Sequence, residues 1–364
     1  MIRIIFRCLQ IVFVTVLIAS CKKNNTAANN PPGTTPTPIT ADVYVTGFEV
    51  NAAGISVAKL WKNGTAYDIS DGTKNAGASG VFVRGTEVYV SFSDGSSRPR
   101  AKLWKNGVVS TLYFSDMNNV FGESQASGMC NGVVSGWCTT GGGRFVAVYW
   151  DDNGVHEISN AATDNASASA IHIKTINNFT RTSLCGQIDS YNTTASKRAF
   201  SWGGQFSNPS MTTIGGTQLS SIGRTCFIND NGFTYTGGSE GQPKIWFENG
   251  ATITPATNAG SVNGLYVVGN TNLYAVGDEL VNGKHIAKLW SGDYLSGNLQ
   301  ATNLSNTQYE ASASAIQVVD GNTFIAGYEF ESDGKVYAKY WKNGTAVKIG
   351  GATSYATAIY VIKK

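Results

Sequence analysis

Apolar and polar residues alternate along this chain in short bursts bounded by Gly, Asn or Asp, and no window sustains a helical period. One stretch shows the form of the rest. It reads Ala313-Ser-Ala-Ile-Gln-Val, Thr323-Phe-Ile-Ala-Gly-Tyr-Glu, Tyr337-Ala-Lys-Tyr-Trp-Lys-Asn-Gly and Ala346-Val-Lys-Ile, four strand-like segments in a row. A tryptophan marks the third segment of each such unit: Trp61, Trp104, Trp150, Trp202, Trp246, Trp290 and Trp341, at intervals of 43, 46, 52, 44, 44 and 51 residues. A unit of this length, repeated, is a supersecondary module that cannot bury its faces alone. Four antiparallel strands repeated seven times predict an all-β fold, a single seven-bladed β-propeller spanning residues 42–364.

Asn63-Gly64, Asn106-Gly107, Asn153-Gly154, Asn249-Gly250 and Asn343-Gly344 fall between the third and fourth segments. Asn-Gly accepts the positive φ angles of a tight hairpin turn, so the spacing predicts that turn. The first segment is rich in small residues, as in Ala78-Ser79-Gly80-Val81, Ala126-Ser127-Gly128-Met129, Ala168-Ser169-Ala170-Ile171 and Ala356-Thr357-Ala358-Ile359. Small side chains suit the crowded innermost strand. The repeat region opens on a second segment, Val43-Tyr44-Val45, and closes on a first one, so the final blade should join N-terminal strands to a C-terminal inner strand. Such a splice removes the edges of an open ring.

Two charged columns run through the repeat. An acid ends the second segment in six units (Glu49, Asp94, Asp189, Glu240, Glu279, Glu329), with Cys138 in the remaining one. Lysine precedes the tryptophan by two residues in five units (Lys59, Lys102, Lys244, Lys288, Lys339). A carboxylate ring would offer a metal or sugar site. The lysines favour a cross-strand ion pair instead, since every unit with the lysine has the acid and the Cys138 unit lacks both.

The first residues differ from everything that follows. Arg3 and Arg7 precede an apolar run to about Ile18, too short to span a bilayer, which ends Ile18-Ala19-Ser20-Cys21. This resembles the lipobox of bacterial lipoproteins and implies a signal peptide over 1–20, lipidation at Cys21 and anchoring to the cell envelope, at the outer membrane. Residues 21–41, rich in Asn, Thr and Pro, bury too little to order themselves and read as a flexible tether.

Removing the two signal arginines leaves 25 basic against 24 acidic residues, so no basic footprint speaks for nucleic acid. The three histidines, His156, His172 and His285, sit at unlike repeat positions, and no ligand spacing predicts a metal or another cofactor. Gly237-Gly238-Ser239-Glu240-Gly241 has the spacing of a nucleophile elbow but lacks its strand-turn-helix setting. Cys130, Cys138, Cys185 and Cys226 permit three pairings or none.

Ala199-Phe200-Ser201-Trp202 resembles the core of the HAF-type repeats of bacterial extracellular proteins, and the whole repeat is WD40-like without the Trp-Asp signature. Ala58-Lys59-Leu60-Trp61, Ala287-Lys288-Leu289-Trp290 and Ala338-Lys339-Tyr340-Trp341 depart from that core by carrying Lys for Phe. The resemblance implies architecture only. Function should lie in the variable loops between second and third strands and between blades, which share one face. Arg98, Arg100, Arg144, Tyr191, His285 and Tyr309 are the ligand-binding residues expected there. The sequence favours a monomeric, non-catalytic scaffold for a protein or glycan ligand. An envelope hydrolase or lyase acting at the channel mouth is the alternative.

Overall fold

The four segments of each repeat pair antiparallel into a four-stranded sheet, and seven such sheets follow one another around a ring in the computed structural model. The structure describes residues 37, 39–112, 122–160, 162, 164–190, 197–203, 210–216, 219–297 and 299–364. The expected signal peptide, Cys21, nearly all of the expected tether and Tyr191 lie outside them. Blades 2 to 7 span residues 76–111, 124–157, 164–213, 222–253, 260–303 and 311–352. Blade 1 is spliced as the sequence requires: Ser354–Lys363 is its inner strand, paired with Ala41–Val50, then Ser56–Lys62 and Thr65–Asp68.

The tryptophans mark the seams between blades, because each packs towards the preceding blade. Trp341 lies against Tyr274, Val276 and Leu289, Trp290 against Tyr235 and Ile245, and Trp61 against Phe324 and Ala338. All three are fully buried. Apolar area removed from water along six of the seams holds the ring together. The seam between blades 4 and 5 is built differently.

The small residues of the inner strand have a sharper cause than crowding. Every inner strand carries one extra residue relative to its partner: Thr357, Ser79, Ser127, Ser169, Arg224, Asn263 and Ser314 in blades 1 to 7. Such a bulge re-aims side chains and bends the strand. It also drives an inner-strand carbonyl against the second strand, where six blades have glycine. A Cβ on Gly277 would sit 1.8 Å from Ser261 O, and one on Gly327 would sit 2.1 Å from Ser312 O. Some bulged side chains reach the next blade, as Thr357 Oγ1 donates to Ala78 O (2.7 Å) and Asn263 Nδ2 to Ala313 O (2.9 Å).

Three residues beyond each bulge, another column lines one end of the axial channel, a cavity of about 400 Å³: Phe82, Cys130, His172, Phe227, Tyr266, Gln317 and Tyr360. Its polar members bind the neighbouring backbone. Gln317 Oε1 accepts from Val361 N (2.7 Å), and His172 Nδ1 accepts from Ile228 N (3.2 Å). Its rings meet edge to face or tilted, Phe82 on Tyr360 and Phe227 on Tyr266. This column closes the ring.

The Asn-Gly turns divide into two kinds. Asn63-Gly64, Asn106-Gly107 and Asn343-Gly344 have positive φ at both residues. At Asn153-Gly154 and Asn249-Gly250 only the glycine does, because these hairpins shift the turn by a residue and place glycine after it. All four described cysteines are free thiols. Burial pushes Cys130 up to about 11 and raises Cys138 and Cys185 too, so these thiols stay protonated.

Candidate functional site

The two charged columns are structural except at Asp189, which lies one residue beyond the acid position, held in blade 4 by Ile188 opposite Arg198. Lys102 meets Asp94 at 2.5 Å, Lys288 meets Glu279 at 2.9 Å, Lys339 meets Glu329 at 2.7 Å and Lys244 stands 3.7 Å from Glu240. The partners are diagonal neighbours across the second and third strands, since Lys339 faces Gly327 and Glu329 faces Tyr337. Lys59 is a correction: it pairs with Asp68 on the outer strand, and Glu49 instead accepts from Gly351 N (2.8 Å). The acids have a second task, tying down the segment that enters from the previous blade. Glu329 accepts from Asn306 N (2.9 Å) and Glu240 from Gly216 N (2.5 Å). Among the described residues no group of His, Cys, Asp and Glu is arranged to hold a metal.

The predicted arginines are used in a similar way. Arg100 donates to Gly122 O and Arg144 to Ala162 O, each fastening the connection that leaves its own blade. Lys284, at the position equivalent to Arg144, donates to Gln308 O and lies over the Tyr309 ring. Arg98 is exposed on its loop. These residues share a face but do not line the cavity at the channel mouth. His285 is the expected residue that the fold brings into it.

That cavity, about 390 Å³, opens at the end of the channel where the inner strands begin. It spans blades 5 to 7 and takes in Arg224, Asn263, Asp278, His285, Glu310 and Tyr328, among others. Asp278 lies in the second strand of blade 6, Asn272–Val281, directly after the glycine that accommodates the bulge, and is only 9% exposed. Its carboxylate is well supplied with donors. His285 Nδ1 lies 2.6 Å from Oδ2, while Ser312 Oγ (3.1 Å) and Asn263 Nδ2 (3.3 Å) lie near Oδ1. Ser261 Oγ, 3.1 Å from the same oxygen, divides its single proton between it and Asn263 Oδ1 at 2.8 Å.

The carboxylate fixes the histidine. With Nδ1–H donating to Asp278, the neutral ring presents Nε2 as an acceptor, the arrangement that makes an imidazole a base. His285 N donates to Glu310 Oε2 (3.0 Å), which holds the hairpin in place. Tyr328, stacked edge-on against Tyr355, has its hydroxyl raised by burial and by the charges of Asp278 and Glu310, so it keeps its proton. Arg224 occupies the bulge of blade 5, where the other blades carry Ser, Thr or Asn. Among the described residues no protein group pairs with its guanidinium, which is exposed.

A smaller cleft of about 250 Å³ lies on the same face between blades 3 and 4. Trp137 and the exposed Phe145 meet edge to face at 4.7 Å along its wall, beside Asn165, Gln187, Asp189 and Lys197. It belongs in part to the Cys138-bearing blade, where the charged columns fail.

No protein-family model and no curated protein matches the sequence. The fold has solved counterparts. A Mycobacterium tuberculosis puromycin-hydrolyzing peptidase superposes with a TM-score of 0.55 at 11% identity, over 89% of this chain and 54% of the peptidase. An ulvan lyase, a polysaccharide lyase bound to -[GlcA(1-4)Rha3S]-, superposes with a TM-score of 0.50 at 10% identity, over 90% of this chain and 95% of the lyase. The chain thus spans about half the length of the peptidase and nearly all of the lyase. At such identities the likeness shows the propeller fold, shared with hydrolases and lyases.

One column would have pointed to the cavity. The residue after the second-strand glycine, or after Phe92 in blade 2, is Phe48, Ser93, Trp137, Gln187, Ser239, Asp278 and Tyr328 in turn, different in nearly every blade. The residue that follows it is an acid in five blades, with Cys138 and Ile188 in the other two. Five of its members, Trp137, Gln187, Ser239, Asp278 and Tyr328, line the two clefts on that face.

Proposed function

We propose that this protein is a glycan-binding scaffold, anchored to the cell envelope through lipid on Cys21, whose channel-mouth cavity receives an acidic sugar. Arg224 carries the reading. It is the ionic group in the cavity whose hydrogen-bonding capacity is entirely free, since Asp278 and Glu310 are already engaged as acceptors. A planar guanidinium set among Ser, Asn and Tyr groups suits a sugar carboxylate flanked by hydroxyls. The Trp137–Phe145 cleft on the same face adds an aromatic surface for a further sugar ring.

A second reading is favoured by the His285–Asp278 pair. An imidazole oriented by a buried carboxylate, beside a tyrosine that keeps its proton, supplies a base and an acid to one cavity, as cleavage by a hydrolase or lyase requires. The two readings separate experimentally. Calorimetric titration with uronate oligosaccharides should show binding that Arg224→Ala weakens at least tenfold, and His285→Ala should leave that binding largely intact. Release of new reducing ends or unsaturated uronate, abolished by His285→Ala, would establish turnover. Failure of every uronate oligosaccharide to bind would refute the acidic-sugar reading.

A further inference from the structure

The seam between blades 4 and 5 breaks a rule that the other six obey. Two residues of the leading blade and one of the following blade fill each seam beside its tryptophan. They are Tyr274, Leu289 and Ile325 beside Trp341, and Tyr235, Ile245 and Ala275 beside Trp290. Tyr44, Leu60 and Val90 take those places beside Trp104, and Phe324, Tyr340 and Val45 beside Trp61. At the equivalent places beside Trp246 stand Ser183, Ser201 and Thr236. Three apolar core positions have become hydroxyls in one seam.

A cavity of about 450 Å³ lies there. Trp246 and Phe247, both largely buried, form part of its wall. Arg181, 9% exposed, reaches in from blade 4, donates to Gly232 O and pairs with Glu248. Glu248 also accepts from Thr234 N (2.9 Å). Two buried polar atoms on the lining are left without a partner: Arg181 Nε and Ser183 Oγ. Unpaired buried groups are destabilising, and the missing apolar packing adds to that cost. Exposed residues of the outer strand, Ser210, Thr212 and Thr213, border the cavity, so among the described residues it opens at the rim of the ring.

We propose that this lateral cavity is a binding site for a neutral saccharide, separate from the channel-mouth site. Arg181 and Glu248 cancel one another's charge, so nothing in the cavity selects an ion. The unpaired N–H and hydroxyl, together with Ser201, Thr234 and Thr236, offer donors and acceptors to sugar hydroxyls. Trp246 supplies the flat apolar surface that a pyranose ring covers.

The test titrates the full-length protein with neutral trisaccharides of glucose, galactose, mannose and xylose, read by tryptophan fluorescence and calorimetry. One of them should bind at millimolar concentration or better, with a fluorescence change that Trp246→Phe removes. The double variant Ser201→Leu with Thr236→Ile restores two residues of the Trp341 seam. It should keep or raise the melting temperature and weaken binding at least tenfold. Ser183→Ala, a milder change that leaves the seam open, should weaken binding several-fold and keeps the question answerable if filling disturbs the fold. Arg224→Ala should change nothing. Absence of binding by all four sugars, or binding that survives the filled seam unchanged, would overturn the proposal. So would loss of neutral-sugar binding in Arg224→Ala, which would place that ligand at the channel mouth.

Discussion

Replacing His172 by Phe should remove a large part of the protein's sensitivity to mild acid. The ring sits at the channel, tilted against Phe227 at 4.6 Å, with Nδ1 accepting from Ile228 N at 3.2 Å. A proton placed on Nδ1 would face a donor instead of an acceptor, and the Lys174 ammonium nearby opposes a second positive charge. Burial, the largest influence, lowers the group from 6.5 to about 4. The folded ring therefore stays neutral while the unfolded chain takes up its proton near the ordinary value. Stability from this residue is fully present above pH 6.5 and is lost as the pH falls from there towards 4.

The difference of 2.5 between 6.5 and 4 corresponds to a ceiling of about 3.4 kcal/mol, of which about 2.5 is lost by about pH 4.5. Phenylalanine is a fair replacement, because Phe82 and Phe227 hold the same place in blades 2 and 5. The variant leaves Ile228 N unpaired at every pH, which lowers its stability without adding a slope. Guanidinium unfolding of both proteins at about pH 7 and about pH 4.5 provides the measurement. Carboxylates titrate in both proteins, so the difference between the two slopes isolates the histidine. Equal losses in wild type and His172→Phe would refute the reasoning, since they would mean that the folded ring accepts a proton freely.

Other substitutions test the frame around the sites. Trp341→Ala empties a fully buried seam position and should cost about 3–5 kcal/mol in chemical unfolding. Lys339→Met strands the buried Glu329 carboxylate and should cost about 3 kcal/mol, whereas Lys105→Met, whose partner Glu87 is exposed, should leave the unfolding curve in place. Gly277→Ala sets a methyl against Ser261 O and should lower the melting temperature well below that of Gly283→Ala, whose Cβ meets nothing, once the backbone strain of the latter's positive φ is allowed for. A Gly277→Ala protein as stable as wild type would mean that the bulge relaxes easily.

The architecture was legible because the repeat states it seven times. Trp61 to Trp341 set the register, the small first segments located the inner strands, and the segment Ala356 to Ile362 announced the splice with Val43 to Val45. The ion pairs were legible for the same reason, except at Lys59, where Asp68 directly opposite on the outer strand competes with the diagonal Glu49. The bulge was not legible. A register shift of one residue leaves no periodic trace in a segment as short as Ala168-Ser169-Ala170-Ile171, although the facing glycines, such as Gly186, record its steric consequence.

The sites were hard to see for the opposite reason, since each is a departure at a few positions. Loop residues were the natural expectation, yet Arg100 and Arg144 turned out to fasten backbone, while Arg224, Asp278 and Tyr328 come from strands. Regular repetition is what gives such departures their meaning. An isolated Ser at a core position is a commonplace, but Ser183, Ser201 and Thr236 replace apolar residues at three positions that six sister seams keep apolar or aromatic. The ring remains closed across that seam through Arg181, Glu248 and the Ile228–His172 bond. A fold that can carry one polar seam on the strength of six apolar ones has room for a ligand inside its wall as well as at its channel.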